Sequence, residues 1–424
     1  MPNFSIPLSG LDASSAALST AANNLANLNT IGYKDQQIQF ADLFYQNLGL
    51  DGAGDPIQQG AGVQVSSQPS DFTQGDVTAT GIDTDVAING NGFFVVQQDG
   101  VESYTRAGNF EVGTNNLLET ADGQQVLGYP AVNGVVNTSG GLSTLALGAG
   151  AISPAAVTAN VSLTTNLDAT GGVGSAYSTQ VTIYDSLGAP HQATFTYTNT
   201  ATNTWTYNVT IPAADISGAT APVNVGTGTL TFNGDGTLVT PPTTVAITIP
   251  PVPAVTVPAT PQSTFTDGAN QLTFNWNLAN AAGTGLLTQL AGPSSTSSIQ
   301  QDGTSSGTLQ SFSIGSDGTI TGAFSNGTTA TLGQIALASF ADEQGLSRNG
   351  DNDFSPTLAS GQPTVGTPTS GGLGSISGGA LEQSNVDIAT EFANLIVAQR
   401  TYEANARVVT TFDQIAQDTI ALKQ

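Results

Sequence analysis

The sequence predicts a mainly β chain with terminal α-helices: nested β-domains, an inner one carrying an inserted outer one, lie between two helices that pair as a coiled coil. Three observations predict it. Gly and Pro, 50 and 20 of the 424 residues, run through almost the whole chain but are absent from residues 11–31 and 380–424. Between those stretches the apolar residues alternate or are β-branched and aromatic, the pattern of half-buried strands. Seven Asp-Gly pairs, beginning at Asp51, Asp99, Asp122, Asp235, Asp267, Asp302 and Asp317, supply the positive φ angles that tight hairpin turns require, and are read as turns, not calcium ligands.

In chain order, residues 1–32 form the N-terminal helix. Leu11, Leu18 and Leu25 recur every seven residues with Ser15 and Ala22 between them, giving an a/d-like seam. Ser9 and Asp12 mark its start and Gly32, after Ile31, its stop. Residues 33–75 read as a linker region. The inner β-domain follows over 76–149, with Val86-Ala-Ile-Asn and Phe93-Phe-Val-Val as strands, and resumes over 299–356. Between its parts the outer β-domain occupies 150–298, with strands at Gln180–Tyr184, Ala193–Tyr197 and Thr204–Val209; its Pro241–Pro261 segment reads as a surface excursion or edge strand. Asp351 and Asp353 fail as a calcium loop because the sixth position is Pro356 and the twelfth Gln362.

Residues 357–379, rich in Gly, Ser, Thr and Pro, read as a second linker. Residues 380–424 then form the C-terminal helix, started by Ser384 and Asp387. Its stripe is Ile388, Phe392, Leu395, Gln399, Tyr402, Ala406 and Val409, with Glu403 and Arg407 spaced as an i,i+4 ion pair. At 35–40 residues it would be about 55–60 Å long, and a helix of that length needs a partner. The expected partners are the N-terminal helix and further copies of the chain.

Six Lys plus Arg against 31 Asp plus Glu give a formal charge of -25. Such a surface repels phosphate backbones and anionic lipid, which excludes nucleic acid as a partner. No segment approaches the roughly 18 apolar residues of a membrane helix, so no membrane insertion is expected. The N-terminus shows no basic n-region followed by an apolar h-region, so no cleaved signal peptide is expected either. Those signals alone suit the cytosol, whereas a chain with one Met, one His and no Cys suits an extracellular assembly.

The absence of cysteine and the single His191 remove thiol catalysis, disulfides, Cys-ligated metal sites and sites built on a His pair; no catalytic residue, metal or cofactor is expected. Neither lysine follows a Gly, and Gly90-Asn-Gly92 lacks the third glycine of a dinucleotide turn. A glycosidase needs two carboxylates about 5–9 Å apart in a cleft, which the sequence leaves open. A secreted adhesin built on the Thr-rich insert is the other alternative.

Ser9-Gly-Leu-Asp12, Ala21-Ala-Asn23-Asn24-Leu-Ala-Asn27, Thr30-Ile-Gly32-Tyr33-Lys34 and Phe40-Ala-Asp-Leu43 together resemble the N-terminal signature of the bacterial flagellar rod and hook axial proteins. At the other end, Gly379 through Ser384-Asn385 to Asp387, then Leu395-Ile-Val-Ala-Gln399-Arg400, Tyr402 and Ala404-Asn405-Ala-Arg407, is similar to the matching signature. Phe72-Thr-Gln-Gly75, Thr84–Gly90, Gly92-Phe-Phe, Tyr104–Gly108, Leu332–Ala338 and Gly345-Leu346 resemble the β-domain of that family. The insert, with Tyr184-Asp-Ser-Leu-Gly188, Pro190 and His191, looks like that of the hook branch; a distal rod or hook-associated axial protein is the alternative.

The resemblance implies a subunit that polymerises helically into a curved hollow tube, a flexible universal joint between motor and filament. The terminal helices would form the inner tube and the β-domains its outer layers. It further implies self-association, contacts with rod, hook cap and hook–filament junction proteins, export by the type III flagellar apparatus and an extracellular location on the flagellum. His191 is then expected on a turn or sheet surface.

Overall fold

A computed structural model describes residues 5–50, 52, 54–132, 134–147, 151–241, 243–249 and 265–421, the side chains of 46–48 aside. The chain divides into two compact units. The first is Met1–Ala151 with Gln310–Ala323 and Thr329–Gln424; the second is Ile152–Leu309 with Phe324–Thr328.

The first unit is built around the strand Phe93–Gln98, whose continuous apolar run is explained by cover on both faces. Phe94 and Val96 pack with Val86, Ile88, Phe110, Val126 and Ile335 in one cluster, while Phe93 and Val95 pack with Tyr104, Leu127 and Phe354 in another. Gln98 pairs with Val101, and the Asp99-Gly100 loop between them has φ of 51° and 85°, the two positive angles expected of Asp-Gly. On its other edge Val96 pairs with Val126, and the strand Gln125–Val132 pairs in turn with Thr329–Ile335. The two ends of the chain are helices, α1 (Ser5–Ala26) and α2 (Ile388–Ala421), in contact with each other.

Four sequence expectations are corrected here. The N-terminal helix starts by Ser5 and ends at Ala26. Ser9 therefore lies inside it and donates to the Ile6 carbonyl at 2.8 Å, and Gly32 follows the helix by six residues. The region 33–75 is a ladder, not a linker: Gln36 bridges Ser70, Gln39–Asp42 pairs with Val63–Ser67, and Gln46–Leu50 with Pro56–Gln59. The 357–379 tract is likewise woven into the unit, because Thr364–Gly366 pairs with Leu337–Ser339 and Ser375–Gly378 with Val86–Asn89. Two of its glycines serve close approach: a Cβ on Gly374 would lie 2.4 Å from the Asn89 carbonyl oxygen, and one on Gly378 2.7 Å from that of Ile314. Ala380–Glu382 is a strand on Val77–Ala79, so the C-terminal helix begins only at Ile388. Asp387 is its cap, accepting the Thr390 N–H at 2.7 Å, while Ser384 accepts the Val386 N–H upstream.

The second unit is one β-domain of two sheets. Ala176–Tyr184, Pro190–Ala201, Thr204–Ile211, Val223–Phe232 and Leu238–Thr240 follow one another as an antiparallel meander. Asn160–Asp168 centres the other sheet, flanked by Thr273–Asn277, Leu287–Leu290 and Ser295–Gln301. Strict alternation turns His191, Ala193, Phe195, Tyr197 and Asn199 inward. One core joins both sheets, with Trp276 ringed by Phe195, Tyr197 and Tyr207 at centroid distances of 5.1, 6.1 and 5.1 Å. Of the Pro-rich segment, Thr244–Thr248 is a strand on Thr273–Asn277; residues 242 and 250–264 lie outside the described residues.

Candidate functional site

α1 has 22 residues and α2 has 34, about 33 and 51 Å. The residues that bring them together are small. A Cβ on Gly10 would lie 2.8 Å from Asn405 Nδ2, which donates to Ser14 Oγ at 3.5 Å. Ala13, Ser14, Thr20, Ala21 and Asn24 are buried on α1, and Glu391 and Ala398 on α2. Between the helices lies a cleft of about 670 Å³ lined by Ala13, Ala17, Ala21, Ala398, Asp35 and Glu391 among others. Burial, then the charges of Glu391 and Asp71, push the Asp35 carboxyl up to about 6.

The expected leucine seam is therefore displaced. Leu11, Leu18 and Leu25 are half-buried beside the small-residue face, because close helix approach selects the side with the smallest side chains. On α2, Leu395 and Val409 are half-buried, while Ile388, Phe392 and Tyr402 are 47%, 48% and 40% exposed. Ile396, Val397, Val408, Ile415 and Ile420 add to this exposed apolar surface.

The signature asparagines form a knot below α1. Asn24 Nδ2 donates to the Gln36 carbonyl at 2.8 Å, and its Oδ1 accepts from Gln36 N–H and Tyr33 O–H, both at 3.1 Å. Asn23 donates to Tyr33 Oη at 3.0 Å, and Asn27 donates to the Asn23 carbonyl at 2.9 Å. Gly32, at φ 67°, abuts the backbone of Arg106 and Ala107, where a Cβ would fall within 2.7 Å. Asn385 accepts the Asp35 N–H at 2.7 Å and donates to the Asp71 carbonyl at 2.8 Å.

Next to this knot Lys34 Nζ lies 2.7 Å from Glu382 Oε1, and Arg106 Nη1 lies 3.4 Å from Glu382 Oε2, all three side chains at most 2% exposed. Gly75 N–H donates to Glu382 Oε1 at 2.9 Å and Lys34 donates to the Thr73 carbonyl at 2.7 Å. Burial pulls the Lys34 ammonium below its ordinary value and Glu382 opposes that shift. Arg348 donates to the Lys34 carbonyl at 2.7 Å and lies over the Tyr33 ring at 5.4 Å. Glu382, Arg106 and Arg348 are absent from the sequence-derived site. The available signal was scarcity: in a chain with six cations, isolated basic residues in otherwise neutral strands are candidates for buried pairs.

The remaining signature residues are on the surface of α2. Gln399 donates to Glu403 at 3.4 Å, and Glu403 pairs with Arg400 at 3.1 Å, one turn before it, in place of the expected partner Arg407, one turn after it. Such exposed pairs contribute at most about 1 kcal/mol. Arg407 is exposed, and its carbonyl accepts from Thr410 and Thr411. Among the described residues no helix is long and apolar enough to cross a membrane.

Four family descriptions match parts of the chain: "Flagella basal body rod protein" over residues 6–34, "Flagellar hook protein FlgE/F/G D1 domain" over 87–172, "Flagellar basal body protein FlaE D2 domain" over 150–304 and "Flagellar basal body rod FlgEFG protein C-terminal" over 377–422. The flagellar hook protein FlgE of Salmonella typhimurium is 35% identical, covering 99% of this chain and 100% of its own length. That of Escherichia coli K12 is 33% identical over 99% and 100%, and that of Borreliella burgdorferi 32% over 98% of each. A Helicobacter pylori hook protein, FlgE2, has a crystal structure similar at a TM-score of 0.49 with 15% identity, over 72% of this chain and 100% of that one. A helix pair with an exposed apolar stripe, two β-units and full-length identity above 30% lead to one conclusion: the chain belongs to the flagellar hook protein family, as a structural, non-enzymatic hook subunit.

Proposed function

We propose that copies of this chain pack α1 and α2 laterally into the inner wall of a curved hollow tube, with Leu11, Leu18, Leu25, Ile388, Phe392, Leu395, Tyr402 and Val409 buried between subunits. The observation that carries this is the apolar surface of α2, exposed from Ile388 to Ile420 in a single chain. Burying it is worth about 25 cal/mol per Å². Residues 107–347, rich in Thr and without a single Lys or Arg, suit sliding contacts as a tube bends, since neutral and water-mediated hydrogen bonds exchange more cheaply than desolvated ion pairs. In this reading the tube is the extracellular universal joint of the flagellum. Its further partners are rod, hook cap and hook–filament junction proteins and the type III flagellar apparatus that exports it.

Electron microscopy of overexpressed or concentrated chain tests the reading. Tubes are expected from the parent chain and only monomers from Leu18→Asp and Leu395→Asp. Ordinary tubes from both variants would place these stripes away from the subunit contacts and end the proposal.

A further inference from the structure

The second unit encloses the chain's single histidine among carboxylates. His191, expected on a turn or sheet surface, is only 5% exposed, because it shares the inward phase of Ala193 and Phe195. Its ring stacks on Phe265 at 4.1 Å. Nε2 lies 3.1 Å from Asp185 Oδ2 and 4.0 Å from Asp267 Oδ2, and Nδ1, which makes no aligned hydrogen bond, lies 3.3 Å from Asp215 Oδ2. Asp185 is fully buried, and its Oδ1 is already committed to the N–H groups of Leu187 and Ala189 at 2.8 and 2.9 Å. Oδ2 thus remains for the imidazole and the second carboxylate. Asp185 is buried, while the Asp215 and Asp267 side chains are 28% and 31% exposed; carboxylates gathered round one imidazole repel one another, a cation between them relieves that repulsion, and the imidazole supplies at most one positive charge against three.

We propose that Asp185, His191 and Asp267 form a site for a divalent ion of the zinc type. Their ligand atoms lie within 4.8 Å of one another. Tetrahedral ligands held at 2.0–2.1 Å from zinc sit about 3.3–3.4 Å apart, a spacing that the 3.1 and 4.0 Å separations bracket. Asp215 stands where an outer carboxylate would hold Nδ1–H and direct the Nε2 lone pair at the ion. One nitrogen and two carboxylate oxygens favour zinc over calcium or magnesium, which take oxygen ligands. Asp267, with its side chain 31% exposed, leaves the fourth position open to water. The ion would brace the start of the strand Pro190–Ala201 against the Asp185 turn and the segment carrying Phe265 and Asp267.

The full chain, stripped with a chelator and dialysed, is titrated with Zn²⁺ by calorimetry and with Co²⁺ by visible absorption, Mg²⁺ serving as control. One equivalent should bind, with d–d bands for Co²⁺ and a rise in the melting temperature of the second unit, and Mg²⁺ should do nothing. Asp267→Asn, on a partly exposed turn, should fold normally and lose at least tenfold in affinity, as should His191→Gln; Asp215→Asn should lose roughly 10–100-fold. An unchanged melt and no binding in the parent chain would show a proton to be the only cation there and overturn the proposal, as would undiminished binding by Asp267→Asn.

Discussion

Three of the chain's six cations, Lys34, Arg106 and Arg348, sit at one junction, and Glu382 is the counter-charge for the first two. Removing one partner of a buried pair costs about 3–5 kcal/mol because the other charge is left uncompensated. The cost is asymmetric here. Lys34→Met leaves Glu382 with Arg106 and the Gly75 N–H, whereas Glu382→Gln leaves two buried cations without a carboxylate. Glu382→Gln should therefore destabilise the first unit by about 3–5 kcal/mol and Lys34→Met by less, as read from denaturant melts. Asp35 gives a pH dependence of definite sign. Its carboxyl is raised from 3.8 to about 6, so the fold holds the proton more tightly than the unfolded chain. Its contribution is fully present below pH 3.8 and is lost as pH rises through about 6. Asp35→Asn should flatten the stability of the first unit across that window and make it about 1–2 kcal/mol more stable than the parent at pH 7, after discounting for partial exposure; thermal melts from pH 4 to 7 measure it.

At the scale of elements, Phe392 and Tyr402 separate folding from assembly. Both are more than a third exposed in the single chain, so a charge there enters water and leaves the subunit intact. Phe392→Asp and Tyr402→Asp should leave the melting of both units unchanged yet abolish tubes by electron microscopy; a lower melt with tubes retained would show that these side chains serve the subunit's own core. The heptad spacing made both helices and their apolar stripes legible in the sequence. Which face packs within the chain was not legible, because it is set by Gly10, Ser14 and Asn405, residues without a hydropathy signal. The hairpins were readable for a local reason: Asp99-Gly100 needs nothing beyond its own backbone angles. The strands at 364–366 and 375–378 were hidden because ladder pairing uses backbone groups that Gly and Ser possess as fully as Val or Ile, while their composition reads as a linker. The knot at Asn23, Asn24, Tyr33 and Lys34 was marked by the family signature, but its partner Glu382 stands nearly 350 positions away and nothing local singles it out.

For the whole molecule, the decisive feature is that the cores share no residue. The aromatic core of the second unit draws only on residues between Val161 and Leu287, and the two clusters of the first unit draw on none of these. Each unit therefore has its own cooperative source of stability, and calorimetry of the monomer should resolve two transitions. The long segment of the second unit, Ile152–Leu309, starts and ends on paired strands, Ile152 opposite Thr308 and Ser153 opposite Gly307, so the points to be rejoined stand only about 5 Å apart. A chain with 152–308 replaced by a two-residue turn should keep the melting transition of the first unit. If lateral packing of α1 and α2 drives assembly, the shortened chain should also form tubes, altered in bend and stiffness. Failure to fold would mean that the first unit needs the second for its core. A folded, monomeric product that forms no tube at any concentration would mean that the second unit supplies the essential subunit contacts, and the helix pair would then serve only to close the chain on itself.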